Sequence, residues 1–179
     1  GILKRHGNSV LKMFSTVFPD QDWNSAFGQL HTPRQKTQKH LEKVIRDIFP
    51  NDQVLIRFRH PDLKFEKSGK NMELDIFLPD KFLAFEYQGE HHYQPVQYSD
   101  QPLSVFQSRD EEKRAAAKVL GVTLVEVPYW WDRSKNSLVA TILQRRPELK
   151  SVLAHDGQPG TPIPETVPSN FYSVWKGRG

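Results

Sequence analysis

The sequence predicts an α/β (α+β) domain with a mixed central sheet of about four strands flanked by helices. Helical patterns stand before and after a group of strand-like runs. Residues 73–78 and 81–87 form two of these runs, and the Pro79-Asp80 turn between them predicts an antiparallel hairpin. Residues 122–128 form a buried strand that follows a helix, so we expect this strand to pair in parallel with a neighbour.

Three helices are predicted before the sheet. Residues 9–18 and 21–30 carry apolar side chains at helical spacing, and they form an N-terminal helical extension. A third helix has stronger boundary signals, because Thr32 suits the N-cap and Pro33 suits the first helical position. This helix ends before Pro50, and the sheet begins after it.

The other elements complete the order helix, three strands, helix, strand, helix. Residues 53–58 open the sheet. The helix after the hairpin is predicted to be capped by Ser108 and stopped at Gly121, and the last helix ends at Pro147. The Pro- and Gly-rich end is expected to be an extended or mobile tail. The predicted parts are an N-terminal extension (1–31), a core (32–146) and a C-terminal tail (147–179).

Composition narrows the classes of function. The 179 residues include 25 Lys and Arg against 21 Asp and Glu, and this net charge of +4 permits a polyanionic partner without requiring one. There is no cysteine, which excludes thiol catalysis, disulfides and Cys-based zinc sites. No apolar run approaches the roughly 18 residues of a membrane span, so no membrane partner is expected. We expect an intracellular protein, and the compartment is not indicated.

Carboxylates occupy the predicted hairpin where a core is expected. Side chains alternate along a strand, so Glu73 and Asp75 share one face, and Glu86 and Gln88 share one face of the next strand. In an ordinary hairpin register Asp75 and Glu86 come close together. Two like charges on a half-buried sheet raise each other's pKa and cost stability, so a proton or a cation must lie between them.

A divalent cation fits this carboxylate pair best. Oxygen ligands in a chain without thiols favour Mg²⁺ or Mn²⁺ over a structural zinc, although the imidazoles of His91 and His92 leave Mn²⁺, Zn²⁺ and other metals open. A bound ion would lower the pKa of a water and offset charge on a phosphoryl group during hydrolysis. The alternative for Asp75 and Glu86 is a structural ion pair with one of the many Lys and Arg residues.

The segment LDIFLPDKFLAFEYQGEHHY, followed by RDEEKRAAAKVLGVTLVEV, resembles the core of the PD-(D/E)XK nuclease superfamily, the restriction-endonuclease-like fold. The spacing of Glu86, Gly89 and His92 is similar to that of the branch containing the very-short-patch repair endonuclease. The resemblance covers residues 41–127. It implies a metal-dependent endonuclease that hydrolyses phosphodiester bonds, with DNA favoured over RNA and with Mg²⁺ or Mn²⁺ as cofactor.

The resemblance also implies a catalytic set. Asp75 matches the metal-binding aspartate on the second strand, and Glu86 matches the first acid of the (D/E)XK element, so both are metal ligands. Gln88 stands where the superfamily has a lysine; it can orient a water or a phosphate oxygen but brings no positive charge. His92 matches a histidine of the repair branch and is assigned to proton transfer or phosphate positioning.

Four further residues are auxiliary candidates. Glu42 matches an acidic residue on the helix before the sheet, with a solvated helix face as its alternative. Glu73 shares a strand face with Asp75, and His91 is the second imidazole of its pair. Lys113 lies on the helix after the hairpin, and from there a lysine that reached the site would replace the charge that Gln88 lacks.

Basic residues are concentrated at the start of the chain. Residues 1–46 hold eight basic and three acidic residues. A basic helical layer beside a metal-binding sheet suits a nuclease, because one surface holds phosphates while the other cuts, although solubility explains the same counts. The candidate nucleic-acid-binding residues are Arg34, Lys36, Lys39 and Lys43.

Two other functions compete with the endonuclease. The first is a catalytically degenerate nuclease-fold module that binds DNA or RNA, for which the glutamine at position 88 is the main reason. The second is a protein-interaction domain that uses the aromatic patches and the Pro-rich tail. The sequence does not indicate an oligomeric state, and a homodimer would suit cleavage of both strands of a duplex.

Overall fold

The structure is a computed structural model that describes residues 13, 16–19, 33–97, 99, 101–153 and 159–171. The chain divides into two compact units, residues 1–37 and residues 38–179. The helices predicted at residues 9–18 and 21–30 lie outside the described residues, except that positions 13, 16 and 17 are helical. Within the part of the chain described, no helix is long and apolar enough to cross a membrane.

Four strands form one sheet in the order β1-β2-β3-β4. The first two neighbouring pairs are antiparallel, and β4 pairs in parallel with β3. The prediction of a mixed four-stranded sheet flanked by helices is therefore confirmed. The strands are β1 (Leu55–Lys64), β2 (Asn71–Leu78), β3 (Leu83–Gln88) and β4 (Thr123–Pro128).

The helices flank this sheet, and α2 carries the chain from β3 across to β4. Short 3₁₀ turns cover Pro79–Lys81, Glu90–His92 and Pro147–Leu149. The α-helices are α1 (Pro33–Ile48), α2 (Leu103–Val119), α3 (Lys135–Arg145) and α4 (Lys150–Leu153).

Two boundaries differ from the prediction. Helix α2 begins more than a turn before Ser108, so the prediction of Ser108 as its N-cap is wrong; Pro102 occupies the N-cap position. Its predicted end is confirmed by Gly121, whose φ of +70° is readily adopted only by glycine. Strand β1 continues through Pro61, which a sheet tolerates because β1 is an edge strand with a register irregularity between Arg59 and Lys64.

The two faces of the sheet bury separate hydrophobic clusters. Ile76 and Phe85 point to the face that packs against buried residues of α1 and α3. Their neighbours Phe77 and Ala84 point to the opposite face, where Ala117 of α2 packs. By the same alternation Glu86 of β3 belongs to the α2 face of the sheet with Ala84.

Part of the predicted tail is packed on the first of these clusters. Leu149, Leu153 and Ile163 are buried within it. The indole Nε1 of Trp130 donates a hydrogen bond of 2.7 Å to the carbonyl of Pro164. The extended segment around Ile163 is therefore held by burial and by hydrogen bonds to the core.

Candidate active site

Three carboxylates stand on three adjacent strands of the sheet. Glu86 of β3 stands opposite Glu126 of β4 in the parallel register. The antiparallel register of Ile76 with Phe85 places Asp75 of β2 opposite Glu86 on the other side. Adjacent strands thus each supply one acid, and the pair predicted from side-chain alternation is brought together.

Main-chain contacts fix the first two carboxylates. The backbone pairing of β2 with β3 runs as far as Ile76 and Phe85. Beyond that point the N–H of Asp75 donates to Glu86 Oε1 at 3.1 Å, and the N–H of Tyr87 donates to Asp75 Oδ2 at 3.0 Å. Each carboxylate therefore accepts a backbone N–H, which holds both groups where the strands stop pairing.

Helix α2 places an ammonium group beside this pair. Lys113 Nζ lies 2.9 Å from Glu86 Oε2 and donates a 2.8 Å hydrogen bond to the carbonyl of Glu73. Both side chains of the ion pair are mostly buried, with 17% of Lys113 and 14% of Glu86 exposed. A positive charge therefore does stand at the carboxylates, although it comes from the helix and not from position 88.

The carboxylate of Glu86 is poorly compensated even with this lysine. The pKa of Glu86 is raised to about 7, chiefly by burial; the positive charge of Lys113 acts to lower it, and the negative charge of Asp75 acts to raise it. A cation bound beside Glu86 would therefore favour its charged form at neutral pH.

One helix residue that sequence reasoning missed contacts the pair. Gln38 of α1 donates from Nε2 to Asp75 Oδ2 at 3.1 Å. The candidate Glu42, one turn later, instead pairs with Arg46 at 3.1 Å on the helix surface and is not brought to the site. The available signal was the apolar stripe of α1, since Gln38 lies three residues before buried Leu41 on the same side of the helix.

A second polar group surrounds Gln88, which is buried. Its Nε2 donates to Glu126 Oε1 at 2.6 Å, and its Oε1 accepts from the hydroxyl of Tyr93. Arg114 of α2 also donates to Glu126 Oε1 at 2.8 Å. Burial raises the pKa of Tyr93, and the charge of Glu126 adds to this, so the phenol keeps its proton. Both ends of the Gln88 amide are therefore occupied by protein groups.

The two histidines follow directly after β3. His92 Nδ1 lies 2.7 Å from Asp110 Oδ2 of α2, so an imidazole is held by a carboxylate that the sequence had not singled out. The ring of His91 meets Phe106 edge-on, with 4.8 Å between ring centroids. Gly89 permits this close turn, because a Cβ at that position would lie 2.9 Å from His91 Cε1. Of the two, His92 has the arrangement of a proton-transfer group.

The chain is 38% identical over 127 residues to the uncharacterized protein 094L of Frog virus 3 (isolate Goorha). This match covers 68% of the chain and 80% of protein 094L. The chain belongs to the 094L family. It is also 34% identical over 95 residues to protein 033L of Invertebrate iridescent virus 3, and 34% identical over 74 residues to protein 307L of Invertebrate iridescent virus 6.

The shared stretches with the two invertebrate virus proteins are shorter. They cover 51% and 40% of this chain, and 46% and 38% of proteins 033L and 307L. The chain thus spans less than half the length of either protein. No protein-family model matches the chain, and no solved structure matches it.

The remaining candidates of this 094L family member lie apart from the carboxylate pair. Glu73 is bound by Arg57 at 3.1 Å and by Arg59 at 3.2 Å. Partial burial acts to raise the pKa of Glu73, but the hydrogen bonds and charges of the two arginines outweigh it and lower that pKa. Lys39 and Lys43 are exposed on α1, as is Lys36 in the first unit, while the side chain of Arg34 lies outside the described residues.

The described residues contain no group of three or more His, Asp or Glu side chains placed to hold a metal ion. In this 094L family member the candidate metal ligands are two carboxylates, those of Asp75 and Glu86. The hydrogen bonds of Asp75 to described residues use Oδ2, which leaves its Oδ1 for a ligand. Mg²⁺ commonly binds through one or two carboxylates and completes its shell with waters and substrate phosphates, so this donor set fits a hard divalent cation.

Proposed function

We propose that the protein is a metal-dependent endonuclease that hydrolyses phosphodiester bonds, with DNA as the favoured substrate. The observation that carries this proposal is the position of Lys113 Nζ, 2.9 Å from Glu86 in the carboxylate pair. It supplies a positive charge at the acids of a site whose usual lysine is replaced by Gln88. Two acids and one cation on a rigid sheet form a minimal arrangement for holding and polarising a phosphodiester.

The fold supports the same proposal. A helix, three antiparallel strands, a crossover helix and a parallel strand follow one another in the order expected of a restriction-endonuclease-like core. The two proposed metal ligands lie on the central strands β2 and β3, and the crossover helix α2 brings Lys113 to Glu86. The resemblance and the geometry therefore favour the same pair of carboxylates.

Asp75 and Glu86 would hold the Mg²⁺ or Mn²⁺ cofactor. When bound, the ion would supply an activated water and offset the charge that develops on the phosphate. The raised pKa of Glu86 supports this assignment, because a nearby cation would favour the charged form that burial disfavours.

The other side chains have distinct roles in the proposal. Lys113 holds Glu86 in place and attracts a phosphate oxygen towards the pair. His92, with Nδ1 held by Asp110, presents Nε2 for proton transfer to or from the reacting groups. Gln88 acts as a positioning residue, since its amide is bound by Tyr93 and Glu126.

The test is cleavage of single-stranded DNA, duplex DNA and RNA with Mg²⁺, Mn²⁺ or EDTA. We expect metal-dependent cleavage by the wild type that falls at least about 100-fold in Asp75→Asn, Glu86→Gln and Lys113→Met, because each removes a charge from the reacting centre. Circular dichroism establishes that each variant is folded. Asp80→Asn, an exposed aspartate in the turn of the same hairpin, serves as the control and should cleave like the wild type.

One observation favours a second candidate, a catalytically degenerate nuclease-fold module that binds nucleic acid. The glutamine at position 88 has no charge, and each end of its amide already makes a hydrogen bond to a protein group. A folded wild type that binds DNA or RNA in EDTA, and cleaves none of the substrates with either metal, would support this candidate and contradict the endonuclease.

A further inference from the structure

We propose that a basic groove beside the carboxylate pair binds a single strand of nucleic acid along its phosphate backbone. The groove is a cavity of about 1000 Å³ between the turn that joins β1 to β2 and the first half of α2. The inference rests on the proposed function, because the bound strand would be the substrate of that site.

Positive side chains dominate the lining of the groove. The acid among the lining residues is Glu112, whose Oε1 accepts the backbone N–H of Glu66. A cavity with this charge balance attracts a polyanion. Binding is favoured because the polyanion releases the counterions that surround it. The four basic residues that line it are Arg59, Lys67, Lys70 and Arg109.

The start of helix α2 adds to this field. Ser104 and Val105 belong to its first turn and line the groove. The N-terminal end of a 17-residue helix carries a partial positive charge that favours phosphate groups. Ser68 and Asn71 add short polar side chains from the facing turn. Side-chain charge and backbone dipole thus favour the same kind of ligand.

The groove connects with the candidate active site through Glu73. Arg59 in the groove binds Glu73 Oε2 at 3.2 Å, and the carbonyl of Glu73 accepts from Lys113 at 2.8 Å. Lys113 in turn contacts Glu86. The groove and the carboxylate pair are thus linked by the contacts of Glu73, which lies two residues before Asp75 on β2.

The aromatic lining favours unpaired bases. Phe65 is half-buried and lines the groove together with the lysines of the turn. Bases stack on such side chains only when they are not already paired and stacked inside a duplex. A groove that combines an aromatic ring with a row of cations suits a single strand better than a duplex.

The test measures binding in EDTA, so that cleavage plays no part. A fluorescein-labelled oligothymidylate of about 12 nucleotides, within the usual site sizes of single-strand binders, is titrated with protein and followed by anisotropy at several KCl concentrations. A duplex of the same length is the comparison. The variant is Lys67→Ala/Lys70→Ala, and the control is Lys118→Ala/Lys150→Ala, which removes two exposed lysines from outside this groove.

Loss of two phosphate contacts sets the expected size of the effect. The slope of log K against log salt is negative and should become shallower by about 1.4, and the affinity for the single strand should fall about 25-fold at 0.1 M salt. Phe65→Leu should weaken single-strand binding without changing this slope, because it removes stacking and no charge. The control variant should match the wild type in both slope and affinity.

The outcomes separate this inference from the endonuclease proposal. If Lys67→Ala/Lys70→Ala binds the single strand with the affinity and salt slope of the wild type, the proposal that the groove binds nucleic acid is wrong, even if the protein cleaves DNA. Equal binding of single strand and duplex would overturn the assignment to a single strand. A wild type that binds through the groove but never cleaves would support the groove and contradict the endonuclease.

Discussion

Glu86 is subject to two opposing effects at the residue scale. Its burial beside Asp75 disfavours the charged form, and the ion pair with Lys113 favours it. A structural ion pair needs only one acid and one base. The second acid, Asp75, and the raised pKa of Glu86 therefore distinguish this cluster from an ordinary salt bridge.

The raised pKa of Glu86 predicts a dependence of stability on pH. Its pKa is 4.5 ordinarily and about 7 in the folded protein, so between these values the folded state binds a proton that the unfolded state has lost. The free energy of unfolding should therefore fall as pH rises from about 5 to 8, by on the order of 3 kcal/mol from this group. Urea unfolding at several pH values measures it.

Glu86→Gln is the matched variant for this measurement, because the amide keeps the shape of the side chain and does not titrate. Its free energy of unfolding should decline less than that of the wild type over the same pH range. Parallel profiles for the two proteins would show that Glu86 is not the titrating group.

Sequence alone predicted Asp75 and Glu86 because alternation along a strand fixes which side chains share a face. It did not reveal Gln38 or Asp110, since their contacts depend on how two helices dock on the sheet. Glu126 could have been noticed as a charged residue within an otherwise apolar strand. Its position beside Glu86 became apparent only from the pairing of β4 with β3.

At the scale of elements, boundaries with a specific local signal were predicted, and boundaries without one were missed. The end of α2 was predicted because Gly121 gives a backbone signal that few other residues can give. Its start was missed because Ser108 resembles a cap, while the residues after Pro102 already continue the helix. Strand β1 was predicted too short because Pro61 breaks a central strand but not an edge strand.

Gly121 supplies the prediction at this scale. Its φ of +70° is strained for a residue with a Cβ, while a Cβ there would meet no atom within 4 Å. Gly121→Ala should therefore lower the free energy of unfolding by about 1 kcal/mol through backbone strain alone. Urea denaturation of the purified variant measures this difference.

Gly121→Asn is the control, because asparagine tolerates the left-handed region better than alanine. It should be less destabilised than Gly121→Ala. An equal loss in the two variants would indicate a steric cause and contradict the role of the backbone conformation.

For the whole molecule, the hairpin of β2 with β3 and the parallel pairing of the last strand followed from the sequence, but the position of the segment around Ile163 did not. Its Pro- and Gly-rich composition predicts no regular element, and residues 159–170 form neither helix nor strand. No local pattern shows that Ile163 is buried or that the carbonyl of Pro164 accepts from Trp130. Such contacts depend on a surface that exists only after the core has formed.

Thr141 connects this segment to α3 and can be tested. Its Oγ1 accepts the N–H of Ile163 at 2.9 Å in a buried position and donates to the carbonyl of Ser137 at 2.8 Å. Thr141→Val leaves that N–H without an acceptor, so the free energy of unfolding should fall by about 1–3 kcal/mol. Limited proteolysis should also cut residues 159–171 faster in this variant.

Thr141→Ser retains the hydroxyl and loses only one methyl group, so residues 159–171 should stay protected from proteolysis. Similar proteolysis rates for the valine and serine variants would show that the hydrogen bond does not hold the segment.

The carboxylate of Glu86 also bears on how the chain avoids misfolding. A slip of β3 by one residue would turn Glu86 towards the apolar face on which Phe85 packs, leaving a charge in the core at a cost of several kcal/mol. A residue proposed to cut nucleic acid therefore also excludes the nearest misaligned pairing of β3, and a neutral substitution at this position would remove this barrier together with the catalytic charge.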